Sequence, residues 1–81
     1  MDEHRHDRRS RVLLSGRIIV GDKAPKIDCT VRDLSESGAR LIVPSSTFGV
    51  PPEFRLAIGE AAPRPCRVVR RTLSEIGVEF I

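Results

Sequence analysis

Apolar and polar residues alternate along most of the chain after residue 11. Residues 27–32 show this most clearly, because Ile27, Cys29 and Val31 fall on one face of an extended chain and polar residues on the other. Alternation with a period of two is typical of a strand with one buried face. No stretch of about ten residues shows the 3.6-residue apolar period of an amphipathic helix.

Six short strands are therefore predicted, separated by segments rich in Gly, Pro, Ser and Asp. They cover residues 12–20, 27–32, 39–43, 54–58, 66–73 and 76–81. Strands of this length and spacing, without helices, are typical of an all-β sandwich or a small closed barrel. Closure is favoured because the edges of a small open sheet promote aggregation.

Single positions within the pattern carry further expectations. In residues 39–43 the alternation turns Arg40 outward. Gly16 interrupts a β-branched run, so it is expected to mark a bulge. Phe48 lies in the Pro- and Ser-rich loop of residues 44–52 and is expected to close one end of the core.

The first 11 residues differ from the rest, because they contain no apolar residue after Met1. Residues 1–11 are predicted to form a flexible arginine-rich arm, and residues 12–81 to form the β-domain. This polar start does not resemble a secretory signal, and no apolar run approaches the ~18 residues of a membrane span. We expect a cytoplasmic protein that is not inserted in a membrane.

Composition adds a basic character. The net charge is +3, and twelve arginines stand against two lysines. The planar guanidinium group suits phosphates and guanine edges, although a genomic bias towards arginine would give the same ratio. On the predicted fifth strand, Arg67, Arg70 and Arg71 are expected to form a solvated face, and one of them could line a site.

The sequence gives little support to a catalytic or a metal-binding function. The only histidines, His4 and His6, lie in the arm, where no fold holds a base beside a nucleophile and neighbouring arginines repel a cation. Cys29 and Cys66 lack C-x-x-C spacing and are expected to be buried thiols. Neither of the common glycine-rich phosphate-binding motifs occurs. We expect a protein that is not an enzyme, with no catalytic residue, metal or resident cofactor.

A nucleic-acid-binding barrel is a second class that the positive charge fits. Barrels that hold single strands usually stack bases on aromatic side chains, and this chain has three Phe, no Trp and no Tyr. Nucleic acid is therefore disfavoured as a partner, although phosphate-only binding to a duplex stays open.

One segment stands out between two predicted strands. Residues 33–38 combine an acid, Asp33, a hydroxyl, Ser35, and a glycine, Gly38. Short polar side chains and a glycine are typical of a tight turn, so an ordinary hairpin connection explains the segment when it is taken alone.

Taken with the arm, the segment resembles a known family. The arm contains R-x-x-x-R at Arg5–Arg9, and the turn contains D-x-S-x-x-G at Asp33–Gly38. With the closing segment Ile76–Phe80 and the order of the strands, these motifs are similar to the PilZ domain over essentially the whole chain. The resemblance implies a small six-stranded antiparallel β-barrel that binds cyclic di-GMP. It implies a ligand-binding site made of Arg5, Arg8, Arg9, Arg11, Asp33, Ser35 and Gly38.

The chemistry of these side chains agrees with the roles that the resemblance implies. An arginine fork can meet O6 and N7 of guanine, and its plane can stack on the base. The carboxylate of Asp33 can accept from guanine N1–H and N2–H, and the Ser35 hydroxyl can donate to a phosphate oxygen. Gly38 has no Cβ to obstruct a ligand.

The register of the arm has two alternatives. In many family members the second motif arginine directly precedes the first strand, which here would be Arg11, with Asp7 in place of its partner. Pairing Arg5 with Arg9 restores the motif spacing and leaves Arg8 and Arg11 as nearby phosphate contacts. We favour the second register.

The prediction is a cyclic di-GMP receptor whose arm becomes ordered on the barrel when ligand binds, with the signal passing to a downstream effector protein. One alternative is a PilZ-like adaptor that binds no nucleotide and acts by protein contact alone. The other is the nucleic-acid-binding barrel.

Overall fold

Every strand of the protein is paired on both sides. The computed structural model describes residues 10–22 and 26–81, which contain six strands and no helix. The strands are β1 (Ser10–Ile19), β2 (Ile27–Leu34), β3 (Gly38–Ile42), β4 (Glu53–Ile58), β5 (Arg64–Arg71) and β6 (Glu75–Phe80). Their order around the sheet is β1-β2-β3-β6-β5-β4, and β4 pairs with β1 to close an antiparallel barrel.

The predicted six-stranded barrel is thus confirmed, and the sandwich is excluded. Closure gives each of the six strands a neighbour on both sides, with β1 joined to β4 over Gly16–Ile19. Across the described ranges there is no helix with the length and apolar character needed to cross a membrane.

Several strand boundaries differ from the prediction by one or two residues, and two of these differences matter most for the site. β1 begins at Ser10 rather than at residue 12, because Ser10 and Arg11 pair with Leu34 and Asp33. β2 correspondingly continues to Leu34, which places Asp33 in a strand rather than in a turn. The remainder of the predicted arm, residues 1–9, lies outside the described residues.

The core contains side chains from all six strands. The buried residues include Ile18 of β1, Val31 of β2, Leu41 of β3, Leu56 of β4 and Ile76 of β6. From β5 the buried side chain is a thiol, described next. These positions follow the alternation of the sequence, so the inward faces were correctly predicted by periodicity.

Both cysteines are buried free thiols, as predicted. Burial, helped by the nearby Asp28 carboxylate, raises the pKa of the Cys29 thiol to about 11. Burial, with the nearby Cys29, raises the pKa of the Cys66 thiol to about 12. Since the thiolate is the nucleophilic form, neither residue is activated for catalysis.

The prediction for Phe48 is wrong, because its side chain is 93% exposed. Thr47 takes the inward position beside it, donating its Oγ1 hydrogen to Thr72 O at 2.6 Å. Because the loop turns Thr47 inward, the next side chain points to solvent. Val50 and Phe54 are buried instead.

The prediction for Gly16 is also wrong. The irregularity in β1 falls between Arg11 and Leu14, whereas Gly16 pairs regularly with β2 and β4. A Cβ at Gly16 would lie 3.1 Å from both Cys29 Sγ and Val31 Cγ2. The absence of a side chain at Gly16 therefore leaves room for the side chains of Cys29 and Val31 on β2.

The barrel has two dissimilar ends. The turn end consists of the β2–β3 turn, residues 35–37, with the first residues of β1 and the last residues of β6 beside it. The loop end consists of the β3–β4 loop, residues 43–52, and the β5–β6 turn, residues 72–74. The predicted site residues that the structure describes all lie at the turn end.

Candidate ligand-binding site

The β2–β3 turn is a closed hydrogen-bonded unit around Ser35. The Ser35 N–H donates to Gly38 O at 2.9 Å. The Ser35 hydroxyl oxygen accepts from the backbone N–H groups of Gly38 at 3.2 Å and Ser37 at 3.3 Å. This side-chain-to-backbone pattern is the reason that a short polar residue suits this position. It also holds the hydroxyl in one place on the partly exposed surface of the turn.

Gly38 is required by the packing of β3 against β6. A Cβ at this position would lie 2.2 Å from Val78 O, which no side chain can tolerate. Among the glycines of the described ranges only Gly59 has a left-handed backbone, so Gly38 is not needed for its φ angle. The close approach at Gly38 that the structure shows is that of β6, and the predicted role of Gly38 beside a ligand stays a prediction. The Phe80 N–H donates to Ser37 O at 2.7 Å and fixes the turn against β6.

Asp33 is bound to Arg40, a residue that lies outside both sequence motifs. Arg40 faces Asp33 across the β2–β3 pair, and its Nε donates to Asp33 Oδ2 at 2.6 Å. A second nitrogen of Arg40, Nη1, donates to Glu75 Oε1 at 3.0 Å. Hydrogen bonds to Asp33 first and Glu75 second raise the pKa of the Arg40 guanidinium.

A basic cavity of about 370 Å³ opens beside this cluster. Its lining is Arg11, Arg32, Asp33 and Arg40, so three guanidinium groups surround one carboxylate. Such a lining suits an anionic ligand that also offers hydrogen-bond donors to the carboxylate. Arg32 lies on the polar face of β2, and the cavity gives it a candidate role.

A second cavity, also of about 370 Å³, lies on the other side of the turn. It is lined by residues of the turn and of β5 and β6, including Ser35, Gly38, Arg70 and Gly77. Asp33 and Arg40 line both cavities, and the second cavity continues from the turn as far as Thr72 and Glu75.

The three arginines of the fifth strand are all exposed and differ in what they contact. Arg67 donates from Nε to Glu79 Oε2 at 3.0 Å across the β5–β6 pair. Arg70 lines the second cavity. Arg71 donates to Thr47 O at the loop end. All three side chains are exposed, as predicted for a solvated face, and Arg70 is the one that also lines a cavity of the site.

The arm arginines Arg5, Arg8 and Arg9 lie outside the described residues, and the structure neither supports nor opposes their assignment. The start of β1 nevertheless determines where the arm is attached. Arg9 is bonded to Ser10, which pairs with Leu34, one residue before Ser35. An extended chain spans at most about 3.6 Å per residue, so Arg5 is tethered within roughly 18 Å of Ser10.

Within residues 10–22 and 26–81 no group of three His, Cys, Asp or Glu side chains is placed to hold a metal ion. His4 and His6 lie outside those ranges. The described site is therefore composed of guanidinium, carboxylate, hydroxyl and backbone groups.

These features describe a small closed β-barrel with an arginine-lined polar cavity at one end. The family model of the PilZ domain matches residues 3–81, so the chain belongs to the PilZ domain family. The PilZ family is known as a family of cyclic di-GMP receptors, and its domains act in binding or as adaptors. No curated protein matches the chain.

Proposed function

We propose that the protein is a cyclic di-GMP receptor that acts as an adaptor in second-messenger signalling. The observation that carries the proposal is the basic cavity beside the D-x-S-x-x-G turn in a chain that belongs to the PilZ family. A dinucleotide with two phosphates and two guanines offers the anionic groups and the N–H donors that this lining suits.

Each site residue has a role in the proposal. The Asp33 carboxylate accepts from guanine N1–H and N2–H, and the Ser35 hydroxyl donates to a phosphate oxygen. Arg5, Arg8, Arg9 and Arg11 contact phosphates and the O6 and N7 atoms of guanine. Gly38 keeps β3 close enough to β6 for the turn to hold its shape.

Binding would draw the arm onto the turn end, because the ligand's negative charge attracts arginines tethered at Ser10. The altered surface would then be recognised by an effector protein, most simply in the bacterial cytoplasm. Binding rather than catalysis is the proposed activity, with cyclic di-GMP as a ligand and no resident cofactor.

Isothermal titration calorimetry with cyclic di-GMP tests this proposal. We expect a dissociation constant in the micromolar range or below, weakened about tenfold or more by Ser35→Ala and by Arg9→Ala, since each removes a hydrogen bond to a charged group. Arg55→Ala is the matched control. Arg55 is an exposed arginine on β4 that lines neither cavity, so its loss should leave the affinity unchanged.

One observation favours the adaptor without nucleotide binding. The Ser35 hydroxyl and the Asp33 carboxylate are hydrogen-bonded within the protein, so the turn is satisfied without a ligand. Absence of heat with cyclic di-GMP, from a protein whose circular dichroism shows an intact β fold, would support this alternative. Heat on titration with duplex DNA, falling steeply with salt, would instead support the nucleic-acid-binding barrel.

A further inference from the structure

We propose that Arg40 is a positioning residue that makes the site selective for guanine by holding the Asp33 carboxylate in one orientation. This inference rests on the proposed function, because it assigns the origin of base selectivity within the same site. Arg40 lies outside both sequence motifs and would act through Asp33.

The first argument is the register of three strands. Asp33 of β2 lies opposite Arg40 of β3, and Arg40 in turn lies opposite Gly77 of β6. From this position the guanidinium reaches Glu75, the diagonal neighbour of Arg40 on β6. Arg40 therefore connects carboxylates on both neighbouring strands.

The second argument is the geometry of the two bonds. Nε binds Asp33 Oδ2 at 2.6 Å and Nη1 binds Glu75 Oε1 at 3.0 Å, so two separate edges of one rigid plane are held. A guanidinium fixed at both edges cannot rotate without losing a bond. It consequently fixes the rotation of the Asp33 carboxyl group to which it is bound.

The third argument is electrostatic. The Asp33 side chain is only 16% exposed, so water alone solvates its charge poorly. The adjacent permanent cation favours the ionised carboxylate, which is the form that only accepts hydrogen bonds. An ionised carboxylate has about four acceptor positions, so a bond from Arg40 and bonds from a base can coexist on one carboxylate.

The consequence concerns which base is accepted. Guanine presents two donors, N1–H and the N2 amino group, on one edge, and both oxygens of a carboxylate can meet them when the carboxyl plane is aligned. Hypoxanthine keeps N1–H but lacks the N2 amino group. Selectivity for guanine over hypoxanthine therefore reports the alignment of Asp33, separately from the phosphate contacts, which both bases share.

The test compares cyclic di-GMP with cyclic di-IMP, the same dinucleotide with hypoxanthine bases, by calorimetry. We expect the wild-type protein to prefer cyclic di-GMP by roughly tenfold or more. Arg40→Gln should weaken cyclic di-GMP binding and bring the ratio of the two dissociation constants close to one. Arg40→Lys keeps the charge without the planar fork, so it should reduce the ratio partially, and Glu75→Gln should reduce it less.

Arg67→Gln is the matched control, because Arg67 forms a similar cross-strand bond to Glu79 and lines neither cavity. It should leave both dissociation constants unchanged. Thermal unfolding of each variant shows whether the barrel is retained. If Arg40→Gln does not fold, the ratio measured for Arg40→Lys and Glu75→Gln decides the question.

Three results would overturn the inference. An unchanged ratio in folded Arg40 variants would show that Asp33 is oriented without Arg40. Tighter binding of cyclic di-GMP by Arg40→Gln would show that Arg40 competes with the base for Asp33. Absence of cyclic di-GMP binding by the wild-type protein would overturn the proposed function and this inference together, and only that result removes both.

Discussion

The two ends of the barrel use the same chemistry for different purposes. At the turn end, the hydroxyl of Ser35 bonds backbone groups at 3.2 and 3.3 Å on a partly exposed surface. At the loop end, the hydroxyl of Thr47 bonds Thr72 O at 2.6 Å, and Thr47 is 3% exposed. The partly exposed hydroxyl of Ser35 can contact a ligand, whereas the buried hydroxyl of Thr47 links the β3–β4 loop to the β5–β6 turn.

The two ends also differ in the side chains that line their cavities. The turn end gathers Arg11, Arg32 and Arg40 around Asp33. The loop end instead exposes the large side chains of Phe48 and Leu73 around a shared hollow. The comparison teaches that exposure and charge, rather than residue type alone, distinguish the candidate ligand site from a structural connection.

The largest expected effect tests how the loop end is closed. Phe54 is 6% exposed, and its change to Ala should lower the free energy of unfolding by about 3–5 kcal/mol through lost burial and a cavity. Phe48→Ala, at a side chain that contacts mostly solvent, should change it by less than about 0.5 kcal/mol. Chemical denaturation measures both, and equal effects would show that Phe48 does contribute to the core.

A second pair of variants tests the packing of the turn end. Gly38→Ala should cost about 3 kcal/mol, because its Cβ would collide with the Val78 carbonyl and force β3 and β6 apart. At the loop end, Gly49 has no atom within 4 Å of an added Cβ, so Gly49→Ala should change stability by at most about 0.5 kcal/mol. A stable Gly38→Ala protein would contradict the close approach of the two strands.

The smallest expected effect distinguishes a loss of stability from a loss of ligand affinity. Thr47→Val removes the hydrogen bond to Thr72 O and should lower the free energy of unfolding by about 1–2 kcal/mol. The dissociation constant for cyclic di-GMP should not change, because Thr47 lies at the opposite end of the barrel. Ser45→Ala, at an exposed position of the same loop, is the control for stability. Altered binding by Thr47→Val would show that the two ends are coupled.

Much of the fold could be predicted because alternation is a local property of the chain. Ile27, Cys29 and Val31 show an inward face with a period of two, whatever strands lie beside them. Phe48 could not be placed in this way, since a loop has no period. Its outward direction depends on the bonds that turn Thr47 inward.

The residues of the candidate site also differ in whether the sequence alone could identify them. Asp33, Ser35 and Gly38 were found because a short motif places them in one turn. Arg40 and Glu75 were missed because their contact depends on β3 pairing with β6, and those strands are not consecutive in the chain. The assignments of Arg5, Arg8 and Arg9 stay predictions.

By itself, the sequence determined the number of strands, their inward faces and the motif that names the family, because each depends on neighbouring residues. Only the tertiary structure decided that Gly38 serves the contact with Val78, and that Arg40 joins Asp33 to Glu75. Both depend on which strands become neighbours when the barrel closes, and closure is a property of the whole chain.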